Sequence, residues 1–215
     1  SEMCIRDRTN IMEFITTAVG GTAQDFGDLT IDRRTGNGVS SSRTRGLFTN
    51  RFASPSYHNE IDFVTIATTG NALDFGDSTV TNGYNRALSS QIRSLGLAYA
   101  SINTINYVTI ATTGNAVDFG DTTHSWYAGF AVNDTVRGIA GGGQTPDSPN
   151  NMNNGIDVIT IRTTGNATEF GDLTQNSGGR YAAGGASNAT RGLIAGGRYN
   201  PGTYTNSIGF ITMAT

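Results

Sequence analysis

Apolar and polar positions alternate along this chain with a period of two, in short runs broken by turn residues, and no stretch carries the three-to-four spacing of an amphipathic helix. In the run IDFVTIA, Ile61, Phe63 and Thr65 point one way from a strand while Asp62, Val64 and Ile66 point the other. Apolar groups therefore occur on both faces, and such a strand must be covered on both sides. Next, Thr68 to Asn71 reads TTGN, the chemistry of a tight hairpin, and leads to a short ALDFGD strand. A further strand type, Gly192-Leu193-Ile194-Ala195-Gly196-Gly197, is built of small residues and ends in paired glycines, as expected where backbones crowd near an axis before the chain turns.

These elements recur. VTIATTGNALDFGDST at 64–79 returns as VTIATTGNAVDFGDTT at 108–123 and ITIRTTGNATEFGDLT at 159–174, with a diverged copy, ITTAVGGTAQDFGDLT, at 15–30. Units open near Met12, Ile61, Ile105 and Ile156, with a partial one at Ile208, in steps of 49, 44, 51 and 52 residues. Between them lie TRGLF at Thr44, SLGLA at Ser94, VRGIAGGG at Val136 and TRGLIAGG at Thr190. Each unit reads as four strands in the order variable, RGLIAGG-type, IDFVTIA-type and ALDFGD-type, which is the blade of a β-propeller. A β-solenoid is the rival, but one of its coils needs fewer residues than this period supplies. The fold class expected is all-β, about four four-stranded blades. Both ends of the chain fall on the same strand type, so one copy is redundant in a closed four-bladed ring. The expectation is an incomplete ring, part of a longer array with an exposed edge at each end.

The repeat resembles a kelch-type blade over Met12 to Thr215. Ala195-Gly196-Gly197 supplies the diglycine, and Phe170 with Leu173 resembles the aromatic and leucine pair. Phe26, Phe75, Phe119 and Phe170 stand where that family usually has Trp, and Thr49-Asn50 and Tyr99-Ala100 replace the diglycine in the first two units. The TIATTGNAxDFGDxT string with TRGxxxGG is also similar to repeats in structural proteins of marine bacteriophages, particularly tail-fibre or appendage proteins of cyanobacterial phages. That resemblance implies a virion component that presents loops to a host. Ser1 to Arg8 match no repeat phase and resemble sequencing-adapter read-through in assembled environmental sequences, so residues 1–8 are left out of the fold and 9–215 are assigned to the repeats.

Composition narrows function by exclusion. A formal charge of −3 offers no basic field for a phosphate backbone, which argues against nucleic-acid binding. No apolar run reaches the roughly 18 residues of a membrane helix, and no signal-peptide core is present. The single Cys4 cannot form an internal disulfide, and the 29 glycines bring an otherwise thin apolar share to an ordinary level. His58 lies in a loop and His124 at the start of a variable strand, neither in a recurring position, so no catalytic residues are assigned. No zinc or copper ligand spacing occurs, and no metal or cofactor is expected.

The repeated residues read as structural: Phe26, Phe75, Phe119 and Phe170; Gly27, Gly76, Gly120 and Gly171; Asp28, Asp77, Asp121 and Asp172. Their Asp-Gly chemistry suits turn hydrogen bonds better than a calcium cage. Arg45, Arg137 and Arg191 are expected to bond a neighbouring turn carboxylate, with Leu95 in that place in the second unit. Trp126 is expected to pack between blades. Recognition belongs where the repeats differ, in the segments 49–60, 101–104, 143–155 and 198–207. Those contain Tyr57, His58, Asn150, Asn151, Asn153, Tyr199 and Tyr204, aromatics and amides suited to stacking on and bonding sugars. The reading is a non-enzymatic binding module whose partners are other virion proteins or a host-surface glycan. The alternatives are a secreted or cell-surface bacterial propeller, or part of a propeller enzyme with its active site in other blades.

Overall fold

The computed structural model describes residues 9–33, 38–53, 56–83, 86–97, 102–145, 152–174, 179–199 and 203–213, and every regular element among them is a strand. The segment 1–8 lies outside the described residues. A leading hairpin pairs β1 (Thr9–Phe14) with β2 (Gln24–Arg33). The first blade follows as β3 (Gly38–Ser41), β4 (Arg45–Ala53), β5 (Ser56–Thr65) and β6 (Leu73–Asn82). The second is β7 (Arg86–Ser89), β8 (Arg93–Leu97), β9 (Thr104–Thr109) and β10 (Val117–Asp121), and the third β11 (Phe130–Asn133), β12 (Arg137–Gly141), β13 (Gly155–Thr160) and β14 (Thr168–Asp172). The fourth has β15 (Gly184–Ser187) and β16 (Arg191–Ala195), then a small hairpin of β17 (Arg198–Tyr199) and β18 (Thr203–Tyr204), then β19 (Ile208–Thr212). Strands pair with chain neighbours, antiparallel, in each four-stranded blade, and the fourth blade is the three-stranded sheet β15-β16-β19. The leading hairpin and the fourth blade remain separate sheets, so the ring is not closed by hydrogen bonds.

The four first strands pack side by side, β3 on β7, β7 on β11 and β11 on β15. They surround the axis of a four-bladed propeller, and polar bonds link them: Ser41 N to Ser89 Oγ (3.3 Å), Asn133 Nδ2 to the Ser89 carbonyl (2.7 Å) and Ser187 Oγ to the Asn133 carbonyl (2.7 Å). The variable strand is thus innermost and the RGLIAGG type is second, not axial as its glycines suggest. Those glycines serve a different close approach. The paired residues after β12 and β16, Gly142-Gly143 and Gly196-Gly197, all take positive φ, and Asn50 (φ 56°) holds that conformation in the first blade, as Asn tolerates best.

The two-faced apolar strand is explained by stacking. Leu47, Ile61, Phe63 and Phe75 of the first blade pack on Val108, Ile110 and Ala116 of the second. The opposite face of the first blade, Val64 and Ala72, packs on Met12 and Phe26 of the hairpin. Leu95, Ile105 and Phe119 meet Ile159, Ile161 and Ala167 in the same way, and Trp126 is buried in that cluster between the second and third blades. Burying the side chains of each such face contributes on the order of 1.5–3 kcal/mol per large residue.

The three joints from the leading hairpin to the third blade also carry a backbone clasp. The Phe26 carbonyl accepts from Gly70 N (2.7 Å), the Asp28 carbonyl from Ala72 N (2.8 Å), and Asp28 N donates to Asn71 Oδ1 (3.0 Å). The same three bonds join Phe75 and Asp77 to Gly114, Asn115 and Ala116, and Phe119 and Asp121 to Gly165, Asn166 and Ala167. The TTGN turn therefore ends its own hairpin and docks into the FGD strand of the preceding blade.

Candidate functional site

In an up-and-down antiparallel blade, the connections from second to third strand and from each blade to the next lie at one end. Tyr57, His58, Asn153, Tyr199 and Tyr204 all fall in or beside such connections, so they share an end of the propeller without sharing a site. The segment 49–60 is not an irregular loop: β4 and β5 continue as a paired ladder to Ala53 and Ser56. There the Tyr57 ring lies 4.9 Å from Phe52. His58 Nδ1 sits 3.2 Å from an Arg51 Nη2 and 3.5 Å from Glu60 Oε1, while Arg51 donates to both Glu60 oxygens at 3.1 and 3.3 Å. Burial alone raises the Glu60 pKa, but the hydrogen bonds from Arg51 and a backbone N–H, with the nearby positive charge, outweigh it and hold the carboxyl below its ordinary value. His58 belongs to that ion cluster.

Asn153 is used locally, accepting from Gly155 N through Oδ1 (2.7 Å) and donating its own N–H to the Gly143 carbonyl (2.9 Å). Asn150 and Asn151 lie outside the described residues. Tyr199 is buried, with the Arg180 guanidinium 5.6 Å from its ring centre, so it offers no stacking face to solvent. Tyr204 is the opposite case, 81% exposed on β18. It borders a cleft of about 310 Å³ with Tyr181, Ala182, Gly197, Arg198 and Thr205, in which the Arg198 guanidinium lies 5.0 Å from the Tyr181 ring centre. Tyr181 and Arg198 escaped the sequence reading because each is isolated in the sequence; their one signal is that both sit where the fourth unit departs from the repeat. This cleft is the described surface best suited to a sugar ring: a flat exposed aromatic, a second ring already stacked by a cation, and amide backbone at the edge.

His124 stands beside Thr123 and near Asp157, a set that resembles a nucleophile, base and acid by composition. Its geometry is structural. Thr123 Oγ1 donates to Asp157 Oδ1, Thr123 N donates to Asp157 Oδ2 (2.8 Å), and the imidazole Nδ1 faces both the Thr hydroxyl (2.6 Å) and the carboxylate (4.0 Å). The Thr123 hydroxyl is thus held between the Asp157 carboxylate and the imidazole. Among the described residues no three of His, Cys, Asp and Glu converge as ligands for a metal ion.

The repeated residues take defined structural places. Phe26, Phe75 and Phe119 meet Phe14, Phe63 and Tyr107 edge to face at 5.7–6.0 Å. Phe170 is 40% exposed, against 2% for Phe75. Gly27, Gly76, Gly120 and Gly171 all have φ between 138° and 149°. Asp25 and Asp74 cap the FGD bend through Oδ1, to Gly27 N and Gly76 N (both 3.1 Å), whereas Asp28, Asp77 and Asp121 act through their backbone in the clasp. Asp172 lines a cavity. Arg45 and Arg191 do not bond turn carboxylates as expected. Arg45 donates to the Ile110 carbonyl of the next blade (2.8 Å) and lies 4.6 Å above Phe63, and Arg191 lies 5.1 Å above Phe210. Register also corrects the second unit: Arg93 pairs with Thr109 as Arg45 does with Thr65 and Arg137 with Thr160, so Arg93, not Leu95, holds that place. A backbone carbonyl on the neighbouring blade is a partner that sequence alone does not display.

Comparison with protein-family models and with curated proteins finds no match.

Proposed function

We propose that this chain is a non-enzymatic binding module, a kelch-like propeller of a phage tail fibre or similar virion appendage that contacts host-surface glycans. The observation that carries the binding reading is the Tyr181, Arg198 and Tyr204 cleft, which lies in the most irregular connection of the fourth blade. Uniform blades supply a rigid scaffold, and their connections at one end carry the variation, as a recognition surface requires. The assignment to a virion rests on the resemblance of the TIATTGNAxDFGDxT repeat alone. Other virion proteins are the natural partners of the remaining surface.

A glycan array probed with the protein tests the reading. Hits that are lost in both Tyr204→Ala and Tyr181→Ala support it, because aromatic stacking contributes most to such sites. An array without hits, or hits unaffected by either change, rejects the cleft as the glycan site.

A further inference from the structure

Each blade has a forward face, which meets the blade that follows, and a backward face, which meets the one before. In the first blade the forward face is Leu47, Ile61 and Phe63, packed on Val108, Ile110 and Ala116 of the second, and the backward face carries Val64 and Ala72, packed on the leading hairpin. Ladder register carries these positions onto the fourth blade: Leu193 pairs with Phe210 as Leu47 does with Phe63, and Ala195 with Ile208 as Thr49 does with Ile61. The backward face there, Ile194, Ile211 and Met213, is buried on the third blade. The forward face is uncovered. Phe210 is 64% exposed against 8% for Phe63, and Leu193 42% against 0% for Leu47. Alternate residues of the same strands are thus buried and exposed, so one face of a well-seated blade lacks a cover.

The leading hairpin leaves the complementary face open. Its register sets Met12, Glu13 and Phe14 where the first blade has Ile61, Asp62 and Phe63, so Ile15, Thr17 and Ala23 stand in the places of Val64, Ile66 and Ala72. Ile15 is 65% exposed against 8% for Val64. The hairpin itself is fixed on the first blade by the clasp and by the buried bond of Arg33 to Asp62 (2.5 Å), so its backward face is presented on a rigid support. One donor is open as well. Arg45 and Arg93 lie 4.6 Å over Phe63 and Tyr107 and reach forward to the Ile110 (2.8 Å) and Ile161 (3.4 Å) carbonyls of the following blade. Arg191 holds the same place, 5.1 Å over Phe210, and its guanidinium has no hydrogen-bond partner among the described residues. We infer that the forward face of the fourth blade is a docking surface for a second copy of this chain, whose leading hairpin stacks there as each blade stacks on the last. Leu193, Ile208 and Phe210 cover Ile15 and Ala23 of the second copy, and Arg191 donates to its Thr17 carbonyl, the counterpart of Ile110 and Ile161. The occupant is a second copy because the molecule carries both halves of a joint it already makes between its own blades. The contact joins two different faces, so it builds head-to-tail chains or closed rings. It stands independently of the glycan reading.

Sedimentation velocity of the protein and of variants at these exposed positions tests it. The unsubstituted protein should form oligomers that grow with concentration across the micromolar range. Phe210→Asp spoils the blade face and Ile15→Asp the hairpin face; each variant should be monomeric while keeping the far-ultraviolet circular dichroism of the folded sheets. Mixed in equal amounts, the two should form 1:1 dimers and nothing larger, because one retains a working hairpin and the other a working blade face. Arg191→Met should weaken association by about tenfold, as the loss of one charge-assisted hydrogen bond requires. A protein that stays monomeric throughout, including one that closes its hairpin on its own fourth blade, would overturn the inference. Association that survives Ile15→Asp would mean that two blade faces meet each other, association that survives Phe210→Asp would mean another surface altogether, and either result overturns it. So would a mixture without dimers, or association unchanged in Arg191→Met, which would show that the sheets do not meet in the register of the internal joints.

Discussion

Gly76 of the first blade and Gly114 of the second lie back to back across their joint, so close that a β-carbon on Gly76 would fall 2.6 Å from the Gly114 carbonyl carbon. Gly171 has the same backbone conformation, with φ of 149° against 138°, and nothing within 4 Å of its β-carbon position. The pair separates two costs that usually come together. Gly171→Ala should lose only the strain of a left-handed-side φ, about 1–3 kcal/mol. Gly76→Ala adds a backbone clash that no rotamer relieves and should cost about 2 kcal/mol more. Urea midpoints of the two variants measure the difference, and equal losses would remove the clasp from its role in blade stacking.

Much of this arrangement is legible in the sequence because it is repeated. Ile61, Phe63 and Val64 already show that their strand is covered on both faces, and the FGD spacing locates every fourth strand. What the sequence conceals is the partner of each polar group. The TTGN turn reads as a hairpin, which it is, yet its Gly70, Asn71 and Ala72 also bond the strand of the blade before, 43 residues away at Asp28. Tyr199 and Tyr204 look alike as sequence, but one packs against Arg180 and the other projects into solvent, since only the register of β17 on β18 decides which face each side chain takes.

The buried pair of Arg33 and Asp62 predicts a strongly asymmetric response to mutation. Arg33 is desolvated by burial, which lowers its pKa against the opposing pull of Asp62. Arg33→Met leaves the Asp62 carboxylate buried with its cation gone and should cost about 3–5 kcal/mol. The double change Arg33→Met with Asp62→Leu should recover most of that loss, because no charge then remains in the joint. A double-mutant cycle by urea unfolding reads this directly; strictly additive losses would show that the two groups do not act as a pair.

Glu60 predicts the acid side of the stability profile. Its folded pKa is lowered, so its contribution is present above the unfolded value of about 4.3 and is lost as pH falls through the folded value. The difference in stability between the protein and Glu60→Gln should therefore be constant near neutrality and shrink steadily below about pH 4.3. Urea midpoints from pH 7 to pH 3 check it, and a difference that widens on acidification would reverse the assigned sign.

Gly192 marks where the second strand of the fourth blade presses on the inner strand of the third. A β-carbon there would lie 2.6 Å from Val132 Cγ2 and 3.2 Å from Met213 Sδ, both side-chain atoms. Gly192→Val should therefore destabilise by about 1–3 kcal/mol through overpacking. Because the obstacle is a side chain, it can be removed: Val132→Ala made together with Gly192→Val should cost less than the two changes summed. Amide hydrogen exchange gives the location, with protection falling first in β15, β16 and β19 and in β11, and last in the first blade. Uniform loss of protection through all four blades would mean that the joints unfold as one unit and that Gly192 does not act locally.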